Sequence, residues 1–374
     1  MINSSFNKLL FALTIIVLAS CTPTEKIDLI VHNAKIYTVN DNFDITQAFA
    51  VHDGKIIDVG PENEIKNNYL AKTYIDAQKR PVYPGFIDAH CHFVGYAKSL
   101  KQVDLKGTTS FEEVLKRVQN YAKENPTGWI TGRGWDQNDW EVKEYPTKEQ
   151  LDKLFPNQPV YIRRIDGHAS LANQAALDAA KITTSTIVDG GIIEQINGEL
   201  TGILIDNAVT LITDIIPELD KEQLSKALIN AEQDLFEVGL TTVDDAGLNQ
   251  LQIETIEKLQ KDSLIKIKVY AMISAKPELF DYYLKKGPYK TERLNVSSFK
   301  FYADGALGSR GACLLAPYSD ITEQKHFGLL IEKQEFYEKY AQQIYDKGFQ
   351  MNTHCIGDSA NRMMMNIYKN VLKG

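Results

Sequence analysis

Two histidines one residue apart, His90 and His92, close the run Pro84-Gly85-Phe86-Ile87-Asp88-Ala89-His90-Cys91-His92. Side chains alternate faces along a strand, so the two imidazoles share a face and Cys91 points the other way. Two neutral imidazoles at a strand end suit one divalent cation. A pair of surface histidines in a loop is the alternative for this stretch taken by itself. Two more candidates sit in apolar runs downstream: Lys300 within residues 297–304, and His354 closing Gln350-Met351-Asn352-Thr353-His354. A lone strand histidine is often a satisfied core or surface residue, and a lone strand lysine usually faces solvent. Where strand ends converge, histidines from two strands with a lysine between them make a metal centre.

The elements that must position these groups follow from periodicity. Residues 27–80 read as short strands, with a hairpin over 49–60 that turns at Asp53-Gly54. This segment is too small for a good core of its own and is expected to pair with strands from elsewhere. The run from Val82 to His90 is the first buried strand. A long excursion follows, over about residues 100–220. It holds a helix over 110–122 with Ser110 and Glu113 as a capping box, and a strand over 129–136. A short helix capped by Thr147 and Gln150, a strand over 160–168 and a hairpin turning at Asn197-Gly198 complete it.

From residue 220 onward helices and strands alternate: helices over 221–238, 251–260, 278–285, 336–346 and 360–372, and strands over 240–247, 265–273, 297–304 and 350–354. Such alternation predicts βαβ units around a parallel sheet. With the strand ending at His90 the main series has five strands, and a closed β/α barrel needs eight. The expected class is therefore α/β, an incomplete TIM-like β/α barrel, with the chain an N-terminal part of a longer barrel. An open doubly wound sheet is the alternative, but no G-x-G-x-x-G follows the first strand.

Composition is ordinary for a globular chain of 374 residues, and a net charge of -8 argues against a nucleic-acid binder. Lys8 precedes an apolar run, Leu9 to Ala19, too short to span a bilayer comfortably. Leu18-Ala19-Ser20-Cys21 then resembles a bacterial lipobox, which implies cleavage before Cys21 and a lipid on its thiol. Residues 1–21 are thus expected to be a lipoprotein signal and 22–26 a linker. The mature chain would be held at the cell envelope, outside the cytoplasm, by its lipid alone. A plain secretory signal is the alternative. Cys91, Cys313 and Cys355 do not form a disulfide framework, and Cys91 and Cys355 read as small buried apolar residues.

The chain resembles the metal-dependent amidohydrolase superfamily, in the family 3 branch that contains N-substituted formamide deformylase. The resemblance runs from about Asp28 to the end. It is carried by the 84–92 stretch, Gly134-Trp135-Asp136, Asp166-Gly167-His168, the run Lys300 to Arg310 and His354-Cys355-Ile356-Gly357-Asp358. It implies a β/α barrel over 82–374, with the excursion as an inserted α+β segment, and a small β-sandwich of which 27–81 is the N-terminal part. It implies that His90 and His92 bind one metal, usually zinc. Lys300 would be carboxylated and bridge to a second metal bound by His354; one ion or two is left open. A buried lysine has a lowered pKa, so its free amine can add carbon dioxide.

The implied reaction is hydrolysis of a non-peptide carbon–nitrogen bond of amide or formamide type in a small molecule. The family's general base, an aspartate ending the eighth strand, and a histidine ending the sixth fall outside these residues, so the chain as given is expected to be inactive. Substrate-side candidates are Trp135, Asp136, Asp166, His168 and Arg310, with packing the alternative for Trp135 and a structural hydrogen bond for His168. Asp304 is a candidate brace for the loop after the fourth strand. Hydrolysis of an ester, lactone or phosphoester in the same fold, or a non-catalytic ligand-binding lipoprotein, are the rival functions. Substrate and oligomeric state are left open.

Overall fold

The computed structural model describes residues 25–188, 191–307, 310–320 and 325–373. Cys21 and the run Leu9 to Ala19 lie outside them. Among the described residues no helix is long and apolar enough to cross a membrane. The chain divides into two compact units, Met1–Phe86 and Ile87–Gly374.

In the first unit a four-stranded sheet has the order Lys55–Gly60, Ala48–His52, Glu25–His32, Tyr69–Asp76. The expected hairpin is present. Asp53 and Gly54 both take positive φ, 49° and 72°, as a tight turn between right-twisted strands requires. The core is small: Ile27, Ile30, Ala48, Ala50 and Ile65.

The second unit carries the strands that end in candidate ligands. They are β1 (Phe86–Cys91), β2 (Leu240–Leu248), β3 (Lys268–Ser274), β4 (Leu294–Tyr302) and β5 (Gln350–His354). They lie side by side in sequence order, and β2/β3, β3/β4 and β4/β5 are parallel. This is the order of a β/α barrel, and the described strands do not close a ring. The intervening helices are α1 (Phe93–Ser99), α2 (Lys221–Glu237), α3 (Gln250–Lys261), α4 (Pro277–Lys286), α5 (Gln334–Asp346) and α6 (Asp358–Val371).

Local chemistry sets the helix ends. Asp220 with Gln223 and Asn249 with Gln252 make reciprocal capping boxes at α2 and α3. Gly239, at φ 80°, takes the left-handed conformation that stops α2. Leu224, Leu228, Ile253, Ile256, Phe280 and Tyr337 turn inward onto Val243, Ile273, Phe299 and Phe301. Each such large side chain contributes about 1.5–3 kcal/mol by burial.

The excursion forms its own six-stranded sheet, in the order Gly191–Ile196, Glu199–Asp206, Ala169–Ala172, Val160–Arg164, Ile130–Trp135, Val103–Asp104. Alternation sends Ile162 and Tyr161 into separate cores on its two faces. Two capping expectations are corrected. Glu113 donates its backbone N–H to Ser110, but its carboxylate accepts from Thr109 rather than from Ser110. The helix Glu149–Leu154 has Lys148 at its N-cap with no side-chain bond, because the Thr147 hydroxyl donates to the Glu149 carboxylate instead.

Candidate metal centre

The β1 strand delivers its ligand pair by alternation. The rings of His90 and His92 stand edge to face, with centroids 5.8 Å apart. His92 is the N-cap residue of α1, and its Nδ1 lies 3.1 Å from the Ala246 carbonyl of β2. A carbonyl only accepts, so Nδ1 carries the proton and the Nε2 lone pair is free, the tautomer a metal ligand needs. Asp245, also on β2 and 1% exposed, accepts the Val94 N–H at 2.9 Å and so ties the first turn of α1 to the sheet. Burial pushes its carboxyl up to about 7.

Lys300 reaches the same place from β4. It is 3% exposed, and its Nζ lies 3.3 Å from His90 Nε2. Burial lowers the Lys300 pKa, favouring the neutral amine. The nearby Lys300 charge is the main force holding His90 below the usual imidazole range, followed by burial and by His92. Among the described residues no carboxylate forms an ion pair with Lys300. The β4/β5 ladder pairs Lys300 with Asn352 and Tyr302 with His354, whose ring lies 5.7 Å from that of Tyr302. His354 therefore arrives one strand over from Lys300, and its charge also weighs on His90.

The donor types suit a divalent cation, but among the described residues the ring nitrogens of His90, His92 and His354 do not all lie within 4.8 Å of one another; the one group of histidine and carboxylate donors that does is Asp28, His52 and Asp53, in the first unit. Cys91 and Cys355 do not add to the donors. Burial pushes their thiols up to about 12 and about 11, so both stay protonated and pack against the apolar core.

Two acidic residues of this region escaped the sequence reading. Asp88 stands two residues before His90, hence on the same face, and accepts the His90 backbone N–H at 3.1 Å. Asp244 on β2 has its carboxyl raised by burial and by Asp88. The period-two rule that grouped His90 with His92 also reaches Asp88; Asp244 is brought beside it only by strand pairing.

Trp135, Asp136, Asp166 and His168 have local partners in the inserted segment, and Arg310 lies outside it. Trp135 is fully buried, and its indole N–H donates to the Ile162 carbonyl at 3.1 Å. The structure thus places Trp135 in the core of the inserted sheet, as the packing alternative has it. Asp136 accepts from the Asn138 N–H at 2.9 Å and from Arg164 at 2.6 Å, so it caps a short turn and pairs with a buried guanidinium. Arg164 also pairs with Asp166. Burial works against the Asp166 carboxylate, but the His168 N–H and Arg164 hold it below the ordinary range. His168 is exposed, with its Nδ1 2.9 Å from Asp206. Arg310 is exposed and pairs with Asp320.

Comparison with known proteins adds the following. The amidohydrolase family model matches residues 73–373. The chain is 32% identical to the protein YtcJ of Bacillus subtilis (strain 168), over 90% of this chain and 64% of that protein. It is also 32% identical to the N-substituted formamide deformylase of Arthrobacter pascens, over 60% of this chain and 43% of that enzyme. The chain spans less than two thirds of the length of either relative. A solved structure, an uncharacterized metal-dependent hydrolase from Pyrococcus horikoshii OT3, superposes with a TM-score of 0.73. It is 26% identical, with 91% of this chain and 68% of that one covered.

Proposed function

The chain belongs to the amidohydrolase family, and on that premise we propose that its β1, β4 and β5 ends are the metal-holding part of a hydrolase for non-peptide carbon–nitrogen bonds in small amides or formamides. The carrying observation is the approach of Lys300 Nζ to His90 Nε2 at 3.3 Å, beside His92 with its Nε2 left free. His90, His92 and His354 would hold the cation, with zinc the leading candidate. A divalent cation there supplies Lewis acidity and brings the pKa of water toward neutrality.

The chain's own residues prepare that chemistry. Ala246 sets the His92 tautomer, and Asp245 holds the helix turn that His92 begins. Burial favours the neutral Lys300 amine, which would add carbon dioxide to give a carbamate and release one proton. The carbamate oxygens would then serve as anionic ligands. The formamide deformylase relative supports the bond type. Lipidation of Cys21, and with it an envelope location, is proposed from the lipobox alone; loss of palmitate labelling in Cys21→Ser would support it, and retained labelling would overturn it.

The test is metal analysis of the protein at its full natural length after metal-supplemented expression, together with hydrolysis assays on formamides, acyl amides, lactones and phosphoesters. About one equivalent of metal or more per chain, lost in His90→Ala and His354→Ala along with formamide or amide hydrolysis, supports the reading. Less than about half an equivalent of zinc, manganese or iron counts against it. Turnover of lactones or phosphoesters in place of amides would move the reaction to another bond.

A further inference from the structure

Asp304 lies two residues past the end of β4 and is 1% exposed. Its Oδ1 accepts the Ile356 N–H at 2.9 Å, and its Oδ2 accepts the N–H groups of Gly357 and Cys313, both at 2.8 Å. Ile356 and Gly357 belong to the backbone that leaves His354. Cys313 lies on the segment that follows β4. Its carbonyl accepts from Ser359 and Ala360, in the first turn of α6, at 3.1 and 3.3 Å. A Cβ at Gly357 would sit 1.9 Å from that carbonyl, so only glycine permits the approach. The Ala303 N–H donates to the His354 carbonyl at 2.9 Å. Asp304 therefore takes over where the β4/β5 ladder stops. Among the described residues no cation pairs with it, and its three partners are backbone N–H donors.

Bracing a single loop would need one or two of these bonds. Here both carboxylate oxygens are used, and they join the exits of the two strands that carry Lys300 and His354. We propose that Asp304 is a positioning residue for the metal centre: it fixes the backbone leaving His354 so that the imidazole is presented at the strand end. This rests on His354 being a ligand. Asparagine does not replace it, because its amide group would turn a donor toward N–H donors.

The test is a double-mutant cycle on the intact, metal-free protein, titrated with Co2+ and followed by its visible absorption. His354→Ala is expected to weaken binding, and D304N to weaken it by about tenfold to a hundredfold, as loss of a supporting contact does. The double variant is expected to bind no more weakly than His354→Ala alone, since Asp304 acts through that imidazole. Wild-type affinity in D304N, or additive losses in the double variant, overturns the proposal. Unchanged binding in His354→Ala overturns the metal-centre reading itself, and this proposal with it. Should D304N fail to fold, hydrogen exchange on the unaltered protein decides. The amides of Cys313, Ile356 and Gly357 are expected to exchange at one rate that Zn2+ slows; separate rates indifferent to Zn2+ overturn the proposal.

Discussion

The exits of β1, β4 and β5 and the inserted sheet are both rich in polar side chains, but those side chains are used differently. At the strand exits His90 faces the Lys300 amine, His92 keeps a free ring nitrogen, and among the described residues no carboxylate forms an ion pair with these side chains. In the inserted sheet Arg164 sits between Asp136 and Asp166, and Trp135 has both its surface and its N–H taken up. A saturated cluster holds a fold together. An unsaturated one retains donors for a ligand, at the expense of stability. That difference separates a ligand site from a structural network better than residue type does.

The largest test of the contrast is Lys300→Met. Losing several kcal/mol of charge stabilisation in the transition state would lower hydrolysis by the protein at its full natural length by about a thousandfold or more, while the urea unfolding midpoint stays or rises. A marked fall in stability with activity kept would reverse the assignment. Trp135→Ala is the mirror case. It should destabilise by about 3–5 kcal/mol in urea unfolding and leave metal affinity unchanged. Altered metal affinity with an intact fold would bring Trp135 back to the site.

Asp245 gives a pH test. Its carboxyl is raised from 3.8 to about 7 by burial. Between those values the folded state keeps a proton that the unfolded chain has released, so stability of the metal-free protein falls as pH rises, by up to about 1.4 kcal/mol per unit. Asp245→Asn should flatten this slope; an unchanged slope would assign it to another group. Arg164→Ala strands two partly buried carboxylates and should cost about 1–3 kcal/mol of stability without changing the metal. A loss of metal in this variant would join the two regions. The smallest effect is expected at the exposed Lys226–Glu222 pair of α2, where Lys226→Ala should stay within about 0.5 kcal/mol. A larger loss would make surface pairs a real part of this stability.

Much was readable from local pattern. The hairpin at Asp53-Gly54, the helix stop at Gly239 and the strand ending at His354 all obey short-range rules of turn chemistry and periodicity. The buried strand expected over Val82 to His90 is instead Phe86–Cys91, with Phe86 and Ile87 exposed and Val82 paired in another sheet. The capping boxes were harder. The Glu113 carboxylate bonds the N–H next to the one expected, and Lys148 displaced Thr147 at an N-cap, because several donors compete within one turn. The pattern Trp135-Asp136 and Asp166-Gly167-His168 suggested chemistry, but whether a side chain faces a core, an ion pair or open space depends on residues about 30 positions away.

The sequence by itself determined which residues alternate onto one face, where helices begin and end, and the strand order that makes His90, Lys300 and His354 candidates for one site. These follow from the backbone's fixed periods, which act over a few residues. Only the tertiary structure decided that Lys300 is buried against His90, that Ala246 frees the His92 Nε2, and that Asp304 ties the β4 exit to the β5 exit. Those facts are set by desolvation and hydrogen bonding between segments far apart in the chain, where no local rule reaches.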